Sequence, residues 1–232
     1  ATAYLEEVVS RLGPHGVKSR WGVATGDAVS MIASRSATSS FGMVAVATTA
    51  RSRPHRFVSR GLLEGLWRTT AVPLLIVNPL HTNLNGLQPI PPKELIVPCS
   101  RGAADSALPI ASAIAGASRS TIKIVLSKSN STVEIQDRLI NMFSNDNVEI
   151  EIIHGENKMI RQVHDLQTDN QGSWIVIGSG MRSGIARSIL GSTSDMLVRE
   201  AIGPIVVVPD PKVMRLRKQS AHEATRNLAS SL

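Results

Sequence analysis

The sequence predicts an α/β protein: a three-layer sandwich on a mainly parallel, five-stranded sheet, present in two repeats. Three observations carry this. Short runs such as Trp174-Ile175-Val176-Ile177 and Ile205-Val206-Val207-Val208 are continuously apolar and rich in β-branched residues, as strands buried on both faces must be. Between such runs lie stretches with apolar residues at helical spacing, and alternating strand and helix favours a parallel sheet because right-handed crossovers lay helices on both faces. Finally, Pro73 in Val72-Pro73-Leu74-Leu75-Ile76-Val77 recurs 131 residues later as Pro204 in Gly203-Pro204-Ile205-Val206-Val207-Val208.

The elements follow in order. Tyr4–Leu12 carries Leu5, Val8, Val9 and Leu12 on one helical face and is stopped by Gly13-Pro14. Val17–Ala24 reads as a strand with interspersed polar residues, and Gly26-Asp27 leads into a helix over about Ala28–Ser34. Met43–Ala47 is a strand, an Arg- and Ser-rich loop follows, and a helix near Leu62–Thr69 leads to the strand Val72–Val77. The aperiodic, Pro-, Asn- and Gly-rich stretch after it is a linker. Glu94–Cys99 opens a second unit as a strand, then come a helix of about Ala103–Ala117 with Leu108, Ala111 and Ile114 inward and a strand at Thr121–Leu126. Ser131-Thr132-Val133-Glu134 has the form of a capping box, starting a helix with Ile135, Leu139, Met142 and Phe143 on its apolar stripe. A strand at Val148–Ile153 and a helix at Lys158–Leu166, with Met159, Ile160, Val163 and Leu166 inward, complete the approach to the last two strands. The divisions are a first unit over 1–78, a linker over 79–92, a second unit over 93–210 and a basic tail over 211–232.

Composition bounds the function. The chain has 232 residues, 42% hydrophobic, enough for a sizeable core. A formal net charge of +7 raises nucleic acid, anionic membrane and acidic ligands together. Aromatic residues are only 3% and no basic run is interleaved with them, so nucleic acid is not expected as a partner. Cys99 is the only cysteine, which excludes an internal disulfide and a cysteine-rich zinc site and makes a reducing cytoplasm the expected compartment. No segment reaches the roughly 18 apolar residues of a membrane span, and the first residues do not read as a signal peptide.

The stretch from Trp174 to Asp210 holds the chemistry. Gly178 ends its first strand, and Gly178-Ser179-Gly180 lets the backbone approach a ligand closely. Gly191 lies 13 positions after Gly178 and is followed by the N-cap candidates Ser192, Thr193 and Ser194 at the start of a helix over Asp195–Ala201. Free N–H groups at that helix start favour an anion. The same residues also serve simply as a glycine turn and an N-cap, and both readings stand.

This order of Gly, Gly-Ser, helix and Gly-Pro-Ile-Val-Val-Val resembles the C-terminal signature of the universal stress protein family, Gly-x2-Gly-x9-Gly-Ser/Thr. The resemblance implies a Rossmann-like fold of the adenine-nucleotide α-hydrolase type, in a tandem member whose first unit is degenerate and truncated at its N-terminus. It implies stress adaptation or regulation through binding ATP with Mg, without catalytic turnover or a tightly bound metal. The nucleotide site it implies comprises Pro98, Ser100, Leu126, Gly178, Gly180, Arg182, Gly191, Ser192, Thr193 and Ser194. Two positions depart from the pattern: Met181 stands where the second glycine belongs, and Ser100 where members often carry a nucleoside-binding Asp. In the first unit the repeat offset sets Ala47 on Gly178, Arg51 on Arg182, Arg60 on Gly191 and Gly61 on Ser192, so its glycine cradle is lost, although Arg51, Arg53, Arg56 and Arg60 could meet an anion. The resemblance further implies pairing through last strands, Pro73–Val77 or Pro204–Val208, either between the two units or in a homo-oligomer.

Other chemistry finds little footing. The chain has no Gly-x4-Gly-Lys-Ser/Thr loop and no Gly-x-Ser-x-Gly elbow. His154 and His164 lack a second ligand at metal spacing, and Cys99 at a strand end reads as core. Residues 211–232, with Lys212, Arg215, Arg217, Lys218 and Arg226, read as a solvated, partly disordered tail that could touch an acidic partner or lipid. The runner-up function is an interaction module that binds no nucleotide, such as the cytoplasmic tail of a longer transporter, the one setting in which a membrane enters.

Overall fold

Apolar, β-branched segments that bury both faces become strands in the structure, a computed structural model that describes residues 2–47, 58–77, 91–99, 104–127, 133–143, 148–155, 159–178, 196–198 and 201–230. The strands are β1 (Val44–Ala47), β2 (Leu74–Val77), β3 (Glu94–Cys99), β4 (Thr121–Leu126), β5 (Ile150–His154), β6 (Trp174–Gly178) and β7 (Ile205–Val208). The helices are α1 (Thr2–Leu12), α2 (Ala28–Thr38), α3 (Val58–Thr69), α4 (Ala104–Ser118), α5 (Val133–Phe143), α6 (Met159–Asp169) and α7 (Pro211–Ser230). Gly13-Pro14 does stop α1, through a single 3-10 turn at Gly13–His15 closed by Gly16 at φ 72.

Rather than separate sheets, all the strands join one seven-stranded sheet in the order β1-β2-β7-β6-β3-β4-β5. Every neighbouring pair is parallel except β2 and β7, which run antiparallel. The expected five-stranded parallel sheet is therefore present from β7 to β5, and two strands of the first segment extend it to seven. The 131-residue offset holds in the hydrogen-bond register: Val44 pairs with Leu74 as Ile175 pairs with Ile205. On the outer side of β1 no strand pairs with it among the described residues, and Ala45 and Ala47 are exposed.

Strand alternation sorts the core into two layers. Leu95, Val97, Ile122, Ile124, Leu126, Val176 and Val206 face α4 and α5, meeting Leu108, Ala111, Leu139 and Phe143. Ile96, Val125, Ile175, Ile177, Ile205 and Val207 face the other way, toward Leu66 of α3 and Val163 of α6. This is the three-layer sandwich, with helices on both faces. On the second face α2 and α3 approach closely at Gly65, where a Cβ would come within 2.7 Å of Val29 Cγ2.

Three expectations are corrected. Val17–Ala24 forms no strand: its residues alternate as a strand's would, but Val17, Trp21 and Val23 are exposed and no strand pairs with the segment among the described residues, so the apolar face stays uncovered. Met142 is exposed where it was expected on the apolar stripe of α5, since the turn it occupies faces solvent while Leu139 and Phe143 are buried. Residues 211–230, expected as a solvated, partly disordered tail, form α7. Asp210 starts that helix by accepting from Lys212 N at 2.8 Å, Pro211 sits at its first position, and Val213 is buried while the helix packs on α2. The capping box at residues 131–132 and the linker at 79–90 lie outside the described residues.

Candidate functional site

In an open parallel sheet a ligand sits beyond the carboxyl ends of the strands, where neighbouring crossovers leave in opposite directions. That point falls between β3 and β6: from β3 the chain proceeds to β4 and β5 on one side, while β6 leads to β7 on the other. The ladder between β3 and β6 runs through Leu95↔Trp174 and Ile96↔Ile175, whereas Val97, Pro98 and Cys99 pair with β4 alone. Pro98 has no N–H to give a ladder. The β3–β6 ladder thus stops short of the carboxyl ends of the two strands, which is where a sheet of this kind has its crevice.

The rim of that crevice is built from strand ends. Cys99 pairs with Leu126, Leu126 with His154, and Gly178 with Val208. Pro98, Leu126 and Gly178, three residues expected at the site, thus end neighbouring strands at the same edge of the sheet. All three are buried. The Leu126 side chain is 0% exposed within the core, and its carbonyl accepts from Gly155 N at 2.8 Å, so that oxygen is already engaged.

Gly155 was not singled out from the sequence, and it is the residue that shapes this edge. A Cβ there would lie 2.9 Å from Leu126 O and 2.8 Å from Gln162 Oε1, so only glycine lets the chain leave β5 against the end of β4. Its sequence signal is modest: a glycine directly after the strand that ends at His154. Gln162 packs over the same turn, with Nε2 donating to His154 O at 3.5 Å.

The phosphate segment is only partly visible. Ser100, Gly180, Met181, Arg182, Gly191, Ser192, Thr193 and Ser194 lie outside the described residues, as do Arg51, Arg53 and Arg56 of the first segment. Residues 196–198 are helical where a helix over 195–201 was expected, with Leu197 3% exposed against the second core layer. Gln167 anchors the return to β7: its Oε1 accepts from Ile202 N at 3.1 Å, and a Cβ at Gly203 would come within 2.8 Å of Ser173 O. Among the described residues no group of three or more His, Cys, Asp or Glu could hold a metal ion, and no helix is long and apolar enough to cross a membrane.

Comparison with known proteins agrees with this architecture. Residues 102–209 match the model of the "Universal stress protein family". No curated protein matches the chain. Among solved structures, a universal stress protein from Archaeoglobus fulgidus DSM 4304 is similar at 18% identity and a TM-score of 0.70, covering 90% of this chain and 77% of that one. A functionally unknown protein from Pseudomonas aeruginosa PAO1 is similar at 14% identity and a TM-score of 0.60, covering 96% of this chain and 82% of its own. At these identities the likeness extends to the fold.

Proposed function

We propose that the chain is a stress-adaptation regulator that binds an adenine nucleotide, ATP with Mg, at the crevice between β3 and β6, a reading supported by the match of residues 102–209 to the universal stress protein family model. The observation that carries the reading is that the β3–β6 ladder stops short of the strand ends at the switch point, with Pro98 and Gly178 on its two sides. Pro98 and the end of β4 at Leu126 border the nucleoside. Gly178 and Gly180 let the backbone approach the phosphates, Gly191 to Ser194 supply N–H and hydroxyl donors at a helix start, and Arg182 adds a charge-assisted donor. Mg, when bound with ATP, neutralises phosphate charge. The chain works by binding rather than turnover, from the cytoplasm, and pairs through its last strands within the chain or between copies.

A second reading keeps the same fold as an interaction module without nucleotide, such as the tail of a longer transporter. It is favoured by Met181 in place of the second signature glycine and by Ser100 in place of an Asp. Calorimetric titration with ATP-Mg separates the two. Saturable binding by the wild type, lost in Gly191→Arg, which copies Arg60 of the first repeat, supports the nucleotide site. A folded wild type that takes up no heat at millimolar ATP removes it.

A further inference from the structure

Basic charge and exposed apolar side chains are concentrated in the first and last segments of this chain, which meet at one end of the fold. Residues 1–78 carry nine Lys or Arg against four Asp or Glu, and residues 211–232 five against one, while residues 93–210 carry eleven against thirteen. The fold brings the two basic segments together. Helix α7 packs on α2, and Arg217 donates to the carbonyls of Trp67 and Thr70 at the end of α3. That end of the fold, where α7 meets α2 and α3, belongs to two segments that together carry +9 in the sequence, against −2 for residues 93–210.

The same two segments hold eight of the eleven exposed large apolar side chains among the described residues, including Trp21 at 44%, Phe41 at 49% and Leu216 at 58% exposure. On α7, Val213 and Arg217 turn inward, while Lys212, Arg215, Leu216 and Arg226 recur at helical spacing on the solvent side together with Glu223.

We propose that this end docks on an anionic lipid surface, with the α7 cations against headgroups and Trp21, Phe41 and Leu216 entering the interface. The combination selects among the partners a basic surface could take. A second copy meeting the same face would set like charges of this size together. Nucleic acid rewards cations and ring stacking, but has no place for Val17, Val23, Met31, Leu62 or Leu216. The bilayer interface takes both, since each basic residue near an anionic surface contributes and Trp favours the headgroup boundary. This docking is independent of the nucleotide site.

The test is co-sedimentation of the full chain with phosphatidylglycerol–phosphatidylcholine vesicles and with phosphatidylcholine vesicles alone. Binding to the mixed vesicles only, weakened by salt, is expected. Reversing Lys212, Arg215 and Arg226 to Glu together should reduce it by about a hundredfold. Addition of mixed vesicles should shift the wild-type tryptophan emission to the blue, and Trp21→Ser should remove that shift while melting as the wild type does. Equal binding to neutral vesicles, no binding to mixed ones, or indifference to the charge reversal overturns the proposal. So does Trp21 becoming buried instead in a concentration-dependent dimer or against duplex nucleic acid.

Discussion

Leu75 of β2 lies opposite Val206 of β7, and the two are each other's counterparts at the 131-residue repeat offset. A local two-fold axis therefore passes between them, and the antiparallel β2–β7 ladder relates one parallel strand pair to its repeat. Without β2, the β7 edge would present Ile205 to Val208, an apolar run that contains neither charge nor proline to guard it. A fragment of residues 93–232 is expected to dimerise through that edge, with Val206 against the partner's Val206. Analytical ultracentrifugation over a concentration series checks this; a fragment that stays monomeric shows that β2 is not what satisfies the edge.

Arg217 ties α7 to the end of α3 with no acidic partner among the described residues. Its Nη1 donates to Thr70 O at 2.6 Å and to Trp67 O at 3.3 Å, satisfying carbonyls that a helix leaves unpaired at its last turn. Burial pulls the guanidinium down to about 10, so it still carries its charge at neutral pH, against the negative end of the α3 dipole. Arg217→Met keeps the stem but removes the donors, and should cost about 1 to 3 kcal/mol in urea unfolding. Arg217→Lys should recover part of that, since one ammonium reaches fewer acceptors than a guanidinium fork.

Gly155 tests the geometry of the candidate site. Gly155→Ala sets a methyl against Leu126 O, which is backbone and cannot swing away. A loss of about 1 to 3 kcal/mol is expected from the forced shift. Because that shift falls on the end of β4, ATP affinity should drop with it if the nucleotide binds there. Stability and calorimetric titration measured on the same preparation separate the two effects.

How much of this was legible in the sequence depended on whether a residue's role is local. Glu94–Cys99 and Thr121–Leu126 were readable to the residue, because an apolar β-branched run is a strand almost wherever it is buried. Pro98, Leu126 and Gly178 were named together as a site only through the family resemblance, and it is the strand order of the sheet that sets them at one edge. Helix α7 was not legible: its spacing of apolar residues is weak, and what orders it is Val213 and Arg217 meeting surfaces well over a hundred residues away in sequence. Val17–Ala24 failed for the opposite reason, alternating like a strand while no described element covers its apolar face. Gly155 was invisible because its requirement is set by a carbonyl on another strand.

Lys123 offers a prediction with a pH signature. Its Nζ lies 2.9 Å from Glu94 Oε1 and 3.8 Å from Glu151 Oε2, and the Lys123 and Glu94 side chains are 19% and 20% exposed. The hydrogen bond to Glu94 raises the Lys123 pKa above its ordinary value, aided by the charges of Glu94, Glu151 and Asp169 and opposed by burial. A raised folded-state value means the protonated form is favoured by folding. Its contribution is therefore complete below about 10.4, the unfolded-state value, and is lost as pH rises through the higher folded-state value. Lys123→Met should destabilise by about 1 to 3 kcal/mol at neutral pH, because Glu94, whose Oε2 is already buried without a partner, loses its cation. Lys123→Met combined with Glu94→Leu should recover most of that loss, since no lone carboxylate remains. Above the folded-state value the wild type and the single variant should converge in urea midpoint; a gap that stays constant with pH means the effect is packing rather than charge.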